Sequence, residues 1–398
     1  MTVTPEVVLD PYSYDFHEDP YPAYAALREH APLYRNEQRN FWALSRHADV
    51  VAAFRDNETY SNADGVSLDP SATGPQASRT MSFLAMDEPR HGRMRALVSR
   101  GFTPRRITML DEQVREITKA HLVPILEAGS FDFIEDVAGK VPMDVVSELL
   151  GVPEADRAQL RKWSDLVVHR EDGVTDIPQA AMEASLELVV YYSDLVTARR
   201  AQPRDDLTSV LLEVEIDGER LTEEELVGFL FLMVIAGNET TTKLLGHCWY
   251  HGWRNPDELA KPFADIARVP HWVEETLRYD ASSQILARTA MVDVEIHGGR
   301  IPAGGRVALL VGAANRDPRV FPDPDRLDLD RDTSESVSFG SGRHFCLGAS
   351  LARLESRIVL EELVKLVASY DIDEANARRV HSVNVRGFER LPTTVTLR

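Results

Sequence analysis

The chain has 398 residues, with 44 Lys or Arg against 64 Asp or Glu, so its formal net charge at pH 7 is −20. Nucleic acid and anionic membranes attract excess positive charge, so this composition argues against both as general electrostatic partners. Hydrophobic residues make up 43% of the chain, which is enough for a large core in one or more domains.

The N-terminal segment has neither the basic start nor the apolar stretch of a signal peptide. The strongest apolar run covers residues 226–237 and is too short to cross a bilayer as a helix. Two cysteines, Cys248 and Cys346, do not make a disulfide framework, and their use fits a reducing compartment. We therefore expect a cytoplasmic protein without a transmembrane segment.

In chain order, strand signals come first, at residues 41–56, followed by a loop-like stretch at 64–82 that is rich in Gly, Pro, Ser and Thr. Such a loop is either a lid over a functional site or an ordinary surface loop without a function. Residues 87–255 are almost continuously helical in pattern, and residues 292–314 predict a hairpin around glycine-rich turns. The sequence therefore predicts a mainly α protein with a minor β part.

The clearest helix begins at Thr222, because Thr222 and Glu225 have the spacing of a capping box directly before an apolar run. Its pattern continues to Asn255-Pro256, which gives roughly 30 residues and a length of about 45 Å. A helix so long and so apolar at its start is expected to run through the middle of the protein.

Midway along this helix, residues 236–242 read AGNETTT, a run that is unfavourable for helix stability. Gly237 leaves room for a close approach to the backbone, and threonine hydroxyls can bond back to a carbonyl one turn earlier. Glu239 and Thr240 together place a carboxyl beside a hydroxyl, a pair that can relay protons into a dry pocket. The alternative is a solvated polar patch on an amphipathic helix.

Cys346 lies in the stretch SFGSGRHFCLGASLARLE at residues 338–355, between glycines and directly before a helical pattern. A thiolate at a helix N-terminus is stabilised by the helix dipole and by unpaired backbone N–H groups. Gly348 removes a side chain where a flat ligand would lie close to the chain.

Several uses of such a thiolate conflict with the rest of the sequence. A structural zinc site needs four ligands, and the phosphate-binding P-loop pattern is absent. A nucleophilic cysteine needs a nearby base, and its histidine partner normally comes from a distant part of the chain. His344 is only two residues away from Cys346, so it is a poor candidate for this base. One axial bond to haem iron is the strongest remaining option, with a buried structural cysteine as the alternative.

Four motifs and one longer segment, in the right order, resemble the cytochrome P450 family. Residues 339–348 resemble its haem-binding loop, and residues 236–241 resemble its oxygen-activating helix. Residues 275–278 resemble its Glu-x-x-Arg motif, His91-x-x-x-Arg95 resembles its propionate-binding helix, and residues 314–331 resemble its meander. The resemblance covers nearly the whole chain and is closest to the soluble bacterial members. It implies one triangular, mainly helical domain over residues 1–398, without a fused reductase domain.

The resemblance also implies haem b as the cofactor, O₂ as co-substrate and Cys346 as the proximal iron ligand. Arginine suits the two haem propionates because its forked donors match a carboxylate. The residues implied to contact the cofactor are His91, Arg95, Ala236, Gly237, Arg288, Phe339, Gly340, His344, Cys346 and Gly348.

Further roles follow from the same resemblance. Glu239 and Thr240 are the implied catalytic pair, which delivers protons during oxygen activation. Glu275 and Arg278 are expected to form a buried ion pair, with Arg326 as a third, structural member.

The implied substrate pocket is mostly apolar, so a hydrophobic small molecule is expected as substrate. Where family members often have proline, residues 281–284 read ASSQ, and Gln284 is expected to place an amide in the pocket. The implied pocket residues are Val66, Phe83, Leu232, Ala236, Gln284, Leu286 and Val385.

The implied reaction is insertion of one oxygen atom from O₂ into the substrate, with electrons from NAD(P)H through a ferredoxin reductase and a ferredoxin. We expect an acidic ferredoxin to dock on a local positive face, although an ordinary solvated helix face is the alternative. The arginines expected on this face are Arg90, Arg93, Arg95, Arg100, Arg105, Arg106, Arg343, Arg353 and Arg357.

Three other readings differ in their chemistry. A non-catalytic haem sensor or binding protein needs no proton relay, and a peroxygenase typically replaces the acid–alcohol pair that this chain has at Glu239 and Thr240. A cysteine enzyme without haem would be colourless and would be alkylated at Cys346.

Overall fold

The computed structural model describes residues 8–102, 104–216 and 218–398, and for residues 104–106 it describes the backbone alone. Helices dominate this part of the chain, as the sequence predicts. They are α1 Tyr14–Glu18, α2 Tyr21–His30, α3 His47–Arg55, α4 Ser78–Met81, α5 Arg90–Ser99, α6 Pro104–Met109, α7 Asp111–Leu126, α8 Lys140–Leu150, α9 Glu154–Val168, α10 Gln179–Ala201, α11 Leu207–Glu213, α12 Glu223–Arg254, α13 Pro256–Ala264, α14 Val269–Tyr279, α15 Val311–Ala314 and α16 Ala349–Leu366.

The minor β part forms one five-stranded sheet, in the order β1-β2-β8-β5-β3, and smaller sheets β4-β12-β9, β6-β7 and β10-β11. All of these strand pairs are antiparallel except β2 with β8. The strands are β1 Leu33–Asn36, β2 Phe41–Leu44, β3 Tyr60–Ser61, β4 Ser130–Asp132, β5 Ile285–Ala290, β6 Val294–Ile296, β7 Gly299–Ile301, β8 Arg306–Leu310, β9 Val367–Ile372, β10 Arg378–Arg379, β11 Phe388–Arg390 and β12 Pro392–Leu397.

The long central helix is confirmed as α12, which has 32 residues. Thr222 accepts a hydrogen bond from the Glu225 backbone N–H, and the Glu225 side chain accepts one from the Thr222 N–H, so both halves of the capping box form. The helix packs against α8, α9, α10, α14 and α16. Most of its side chains are buried, and the exceptions in its middle mark the site described below.

The strand prediction for residues 41–56 is correct only at its start. Phe41–Leu44 forms β2, but His47–Arg55 forms α3, whose buried face includes Val50 and Phe54. Alternating and helical apolar patterns overlap over so short a stretch, and packing decides between them. The predicted hairpin is confirmed as β6 and β7, with His297 and Gly298 both at positive φ in the turn.

Two large apolar clusters pack against the two halves of α12. One includes Trp249 and Trp272 and extends to α16, and the other includes Phe229 and Tyr192 and joins α12 to α10. In the described part of the chain, no helix is long and apolar enough to cross a membrane.

Candidate active site

The cysteine loop is held by backbone hydrogen bonds and by two glycines. The Gly340 N–H donates to the Val337 carbonyl at 2.8 Å, and the Cys346 N–H donates to the Phe339 carbonyl at 2.9 Å. Gly340 and Gly342 have φ of +71° and +72°, in the left-handed region that favours glycine. At Gly342 a Cβ would also lie 2.9 Å from the Phe54 carbonyl oxygen. The loop conformation therefore depends on both glycines.

The Cys346 thiol sits three residues before the start of α16, as the sequence predicts. Burial raises the pKa of the thiol, while the backbone N–H groups of Gly348 and Ala349 and the Arg95 guanidinium oppose that rise. The side chain is nevertheless accessible to a water-sized molecule. A Cβ added at Gly348 would meet no atom within 4 Å. The thiol therefore faces an open interior space that is enclosed by protein.

Two histidine rings lie against each other beside this space, tilted by 40°. The ring centroids of His91, on α5, and His344, in the cysteine loop, are 4.0 Å apart. His91 Nε2 and His344 Nδ1 are buried and have no hydrogen-bond partner. Burial, reinforced by His91, Arg288 and Arg95, lowers the pKa of His344 to about 3. Both rings thus present polar atoms that no group of the described protein uses.

Two arginines reach the same place from separate elements. Arg288, on β5, is 3% exposed, and its guanidinium donates to the Ala287 carbonyl at 2.8 Å and lies over the Phe54 ring. Burial, reinforced by the Arg306 charge, lowers the pKa of Arg288 to about 10. Arg95, on α5, also has its pKa lowered by burial, against the opposing effect of Cys346. Among the described residues, neither arginine forms an ion pair.

This arrangement fits a haem group. Buried unpaired cations and orphaned donors are costly unless an anion completes the site, and two haem propionates supply two. The open space over Gly348 would accept a flat macrocycle, and the accessible Cys346 sulfur would ligate its iron. Hence the structure brings Cys346, His344, His91, Arg95 and Arg288 together, as the sequence predicts for a haem pocket.

The middle of α12 is expected to form the second wall of the predicted haem pocket, opposite the cysteine loop. Its residues there have small side chains. Ala236 is accessible and Gly237 and Thr240 are half-buried, although their helix neighbours are largely buried. The Thr240 hydroxyl donates to the Ala236 carbonyl at 2.6 Å, which is the back-bonding that the sequence predicts. Thr240 is therefore placed at an interior opening rather than on a solvated face.

Glu239 points to the other side of the helix from this opening. Its carboxyl is 1% exposed, and its Oε2 lies 3.1 Å from Lys243 Nζ, one turn further along α12. Burial would raise the pKa of Glu239, but the Lys243 charge and a hydrogen bond from Asp165 outweigh burial and lower it. Asp165 and Lys243 are not found by the sequence analysis, although the i, i+4 spacing of Glu239 and Lys243 is a usable signal.

Ser282 is a third residue that the sequence analysis does not assign. Its hydroxyl donates to the Thr240 carbonyl at 2.8 Å, and the Arg386 N–H donates to the Ser282 carbonyl at 2.8 Å. Ser282 therefore fixes the segment after α14 to the turn of α12 that holds the acid–alcohol pair. It stands in the segment where the sequence departs from the family's frequent proline.

The Glu-x-x-Arg motif forms the predicted buried ion pair. Arg278 Nη2 lies 2.7 Å from Glu275 Oε1, and both side chains are at most 1% exposed. The third member is Arg331, whose Nε lies 3.2 Å from Glu275 Oε1. The prediction of Arg326 in this role is wrong, because its exposed side chain pairs with Asp328 and only its carbonyl accepts from Arg278.

Most predicted substrate-pocket residues come from segments that backbone hydrogen bonds connect to one another. The Ala287 N–H donates to the Val66 carbonyl at 2.8 Å, and Ser283 forms a bridge with Val385. Leu232, Leu286 and Val385 are half-buried and Ala236 is accessible, whereas Val66 and Phe83 are buried. The Phe83 ring packs between Phe229 and Arg95, beside the predicted propionate region.

Gln284 does not fit the predicted pocket. Its side-chain amide donates to the Ala281 carbonyl at 2.7 Å and to Asp280 at 3.4 Å, and the residue is 4% exposed. Asp280 is the centre of a buried polar cluster with His251 and Arg386. The amide belongs to this cluster, so we remove Gln284 from the pocket.

The arginines of the predicted positive face are mostly paired. Arg93 pairs with Glu219 and Glu225 at the start of α12, and Arg95 is the inward-facing residue described above. Near the cysteine loop, three arginines form ion pairs: Arg343 with Glu88, Arg353 with Glu274, and Arg357 with Asp111 and Glu361. Arg90 and Arg100 are exposed, and the side chains of Arg105 and Arg106 lie outside the described residues. A uniform positive face is thus not present in the described part of the chain.

Comparison with known proteins agrees with this site. The family profile of cytochrome P450 matches residues 262–367. The putative cytochrome P450 123 of Mycobacterium tuberculosis is 58% identical over 395 residues, which is 99% of this chain and 98% of that protein. The vitamin D(3) 25-hydroxylase of Pseudonocardia autotrophica is 39% identical over 403 residues, with 99% and 98% covered.

The solved structure of cytochrome P450 CYP109Q5 from Chondromyces apiculatus matches with a TM-score of 0.89 and 35% identity, covering 98% of each chain. This chain belongs to the cytochrome P450 family, whose members are in general haem monooxygenases.

Proposed function

We propose that this protein inserts one oxygen atom from O₂ into a hydrophobic small organic substrate, at a haem bound through Cys346. Haem with a thiolate ligand supplies the electron-rich iron at which O₂ is reduced and its O–O bond is cleaved. The observation that carries the proposal is the accessible thiol beside two ring nitrogens without a partner, on His91 and His344, and two guanidinium groups, on Arg95 and Arg288, that form no ion pair among the described residues.

The chain's own residues have separate tasks around the cofactor. Cys346 would ligate the haem iron, and the backbone N–H groups of Gly348 and Ala349 at the helix start lie near its sulfur. Arg95, Arg288 and the two histidines bind the propionates. Gly348 lets the macrocycle lie close, and the half-buried Phe339 covers the proximal side next to Arg353.

Thr240 and Glu239 transfer protons to the site of oxygen activation. The Thr240 hydroxyl lies at the interior opening and can exchange its bond to the Ala236 carbonyl for a bond to an incoming oxygen species. Glu239 is the preceding residue of the helix and its carboxyl is buried against Lys243, so its side chain must take up a proton and turn towards Thr240 before the hydroxyl can pass that proton on. This acid–alcohol pair favours a monooxygenase over a sensor or a peroxygenase.

The substrate is hydrophobic, because Leu232, Leu286, Val385 and Ala236 present accessible apolar atoms at the predicted pocket. The name of the Pseudonocardia relative, a vitamin D(3) hydroxylase, supports an apolar substrate of this general kind. A screen for compounds that shift the haem spin state would select candidates for turnover.

We place the electron donor, a ferredoxin supplied with electrons from NAD(P)H by a reductase, on the proximal face near Arg353. A groove of about 420 Å³ lies there between α14 and α16 and includes Arg353, Arg357 and Glu274. Arg353 Nε lies 2.5 Å from Glu274 Oε1, so an acidic donor would compete with an acid of this chain for the same guanidinium.

Charge reversal tests this docking position. Arg353→Glu is expected to slow electron transfer at low salt by about tenfold, since it adds repulsion against an acidic donor. Arg378→Glu, at an exposed ion pair on β10, is the matched control and should change little. Equal rates for both variants would remove the groove from the docking surface.

Isotope labelling tests the reaction itself. With ¹⁸O₂, NADH, a surrogate ferredoxin and its reductase, product from a spin-shifting compound should contain one labelled oxygen atom. Turnover by hydrogen peroxide without any donor would instead make the protein a peroxygenase. Failure to oxidise NADH with any compound that shifts the spin state would favour a haem sensor.

A further inference from the structure

The side chain of Ser282, in the segment after α14, is hydrogen-bonded to the backbone of the α12 turn that carries Thr240. Its hydroxyl donates to the Thr240 carbonyl oxygen at 2.8 Å, and Ser282 is 5% exposed. A carbonyl oxygen has two lone pairs, so a helical carbonyl can accept such a bond in addition to a bond within its helix. Because the donor is buried, the bond fixes the position of this carbonyl relative to the segment after α14.

The C-terminal loop holds the backbone around Ser282 in place. The Arg386 N–H donates to the Ser282 carbonyl at 2.8 Å. Two residues further on, the Gln284 N–H donates to the Asn384 carbonyl at 2.8 Å. Arg386 Nε also lies 3.0 Å from Asp280 Oδ1, and both of these side chains are at most 6% exposed. Two backbone bonds and a buried ion pair therefore fix the position of Ser282 independently of α12.

The same C-terminal loop supplies a residue of the predicted substrate pocket. Val385 lies in this loop, forms a bridge with Ser283 and is half-buried. On the other side of Ser282, the Thr240 hydroxyl lies at the interior opening of α12 and donates back to its own helix. Ser282 thus connects one wall of the predicted substrate pocket to the turn that carries Thr240.

We propose that Ser282 is a positioning residue for Thr240, and that its hydroxyl holds this turn of α12 so that the Thr240 hydroxyl stays within reach of the incoming oxygen species. This inference rests on the proposed function of Thr240. Proton transfer needs hydrogen-bond distance, so a small displacement of the turn slows it. O₂ that has received two electrons then takes two protons from water and leaves as hydrogen peroxide, with its O–O bond intact.

Infrared spectroscopy of the reduced carbon monoxide complex tests the positioning without turnover. The C–O stretch of the bound molecule responds to the field of nearby polar groups, so displacement of the Thr240 turn should shift its frequency. Ser282→Ala should shift this band, and Ser282→Thr, which keeps the hydroxyl, should leave it in place. The control is Thr208→Val, which removes a buried hydroxyl that donates to the Leu150 carbonyl at 2.8 Å, between α11 and α8. It should leave the band unchanged.

The ratio of hydrogen peroxide formed to NADH oxidised tests the consequence for turnover. With a surrogate ferredoxin, its reductase and a spin-shifting compound, Ser282→Ala should raise this ratio by about two- to fivefold. Ser282→Thr and Thr208→Val should match the natural protein. Added to Thr240→Ala, the Ser282→Ala change should have no further effect, because the hydroxyl that Ser282 positions is already absent.

A C–O band and a peroxide ratio that both stay unchanged in Ser282→Ala would overturn the inference, and so would equal changes in Thr208→Val. A further rise in the ratio when Ser282→Ala is added to Thr240→Ala would also overturn it, since Ser282 would then act independently of Thr240. If Thr240→Ala alone forms no additional peroxide while Ser282→Ala shifts the C–O band, the proposed role of Thr240 fails instead, and Ser282 still positions the turn.

Discussion

At the scale of single residues, the buried guanidinium of Arg288 is unfavourable for the stability of the protein unless an anion pairs with it. Its guanidinium is buried on β5 without an ion pair among the described residues, an arrangement that a propionate would complete. We predict that Arg288→Leu releases haem about 10- to 100-fold faster, because a charge-assisted hydrogen bond is lost. Transfer of haem to an excess of apomyoglobin measures the rate.

Arg288→Lys should retain part of the effect, since a lysine keeps the charge but loses the forked donors. Arg300→Leu, at an exposed ion pair on β7, is the control and should leave haem release unchanged. If Arg288→Leu held haem as tightly as the natural protein, the propionate assignment of Arg288 would be wrong.

Thr240 gives a second prediction at this scale. Thr240→Ala removes the hydroxyl that now bonds to the Ala236 carbonyl at 2.6 Å, and with it the last proton donor before the interior opening. We expect NADH oxidation to continue while most electrons appear as hydrogen peroxide instead of product. The ratio of peroxide to NADH measures this change, and Thr240→Ser should behave as the natural protein does. Unchanged coupling in Thr240→Ala would contradict the role of Thr240.

At the scale of elements, the ion pair on α14 fixes the meander to the helical core. Arg278 donates to Glu275, to the Asn315 carbonyl at 3.0 Å and to the Pro324 carbonyl at 2.9 Å. Glu275→Ala is expected to cost about 3–5 kcal/mol of unfolding free energy, because it leaves a buried guanidinium unpaired. The urea midpoint of the holoprotein measures the loss.

Two arginines of the meander distinguish the observed network from the predicted one. Arg331→Ala should cost about 1–3 kcal/mol, since its guanidinium contacts buried Glu275. Arg326→Ala should stay within about 0.5 kcal/mol, because its side chain is exposed. The opposite order of the two urea midpoints would show that the network is assigned wrongly.

The sequence predicts the structure of an element where residues that are close in the chain determine it. The capping box at Thr222 acts within a few residues and is predicted correctly. Arg326 and Arg331 lie in the same loop, and only the path of that loop decides which one reaches Glu275. Asp165 is missed for the same reason, because Glu239 comes from a distant segment. Gln284 is misplaced although its amide bonds to Ala281 and Asp280 nearby in the chain, because the direction of its side chain depends on the buried cluster around Asp280.

At the scale of the whole molecule, the site depends on segments that the fold brings together from much of the chain. His91 comes from α5, Thr240 from α12, Arg288 from β5 and Cys346 from the loop before α16. Motif order predicts that such segments meet, but it carries no information on surface charge compensation. The pairing of Arg353 with Glu274 therefore emerges only from the folded chain.

The carbon monoxide difference spectrum of the reduced protein tests the central claim, a haem held by the Cys346 thiolate, most directly. The account predicts the long-wavelength Soret band that is typical of a thiolate ligand, its loss in Cys346→His, and its retention in Cys248→Ala, the variant of the other, buried cysteine. A band typical of histidine ligation in the natural protein, or a thiolate-type band that survives in Cys346→His, would contradict it.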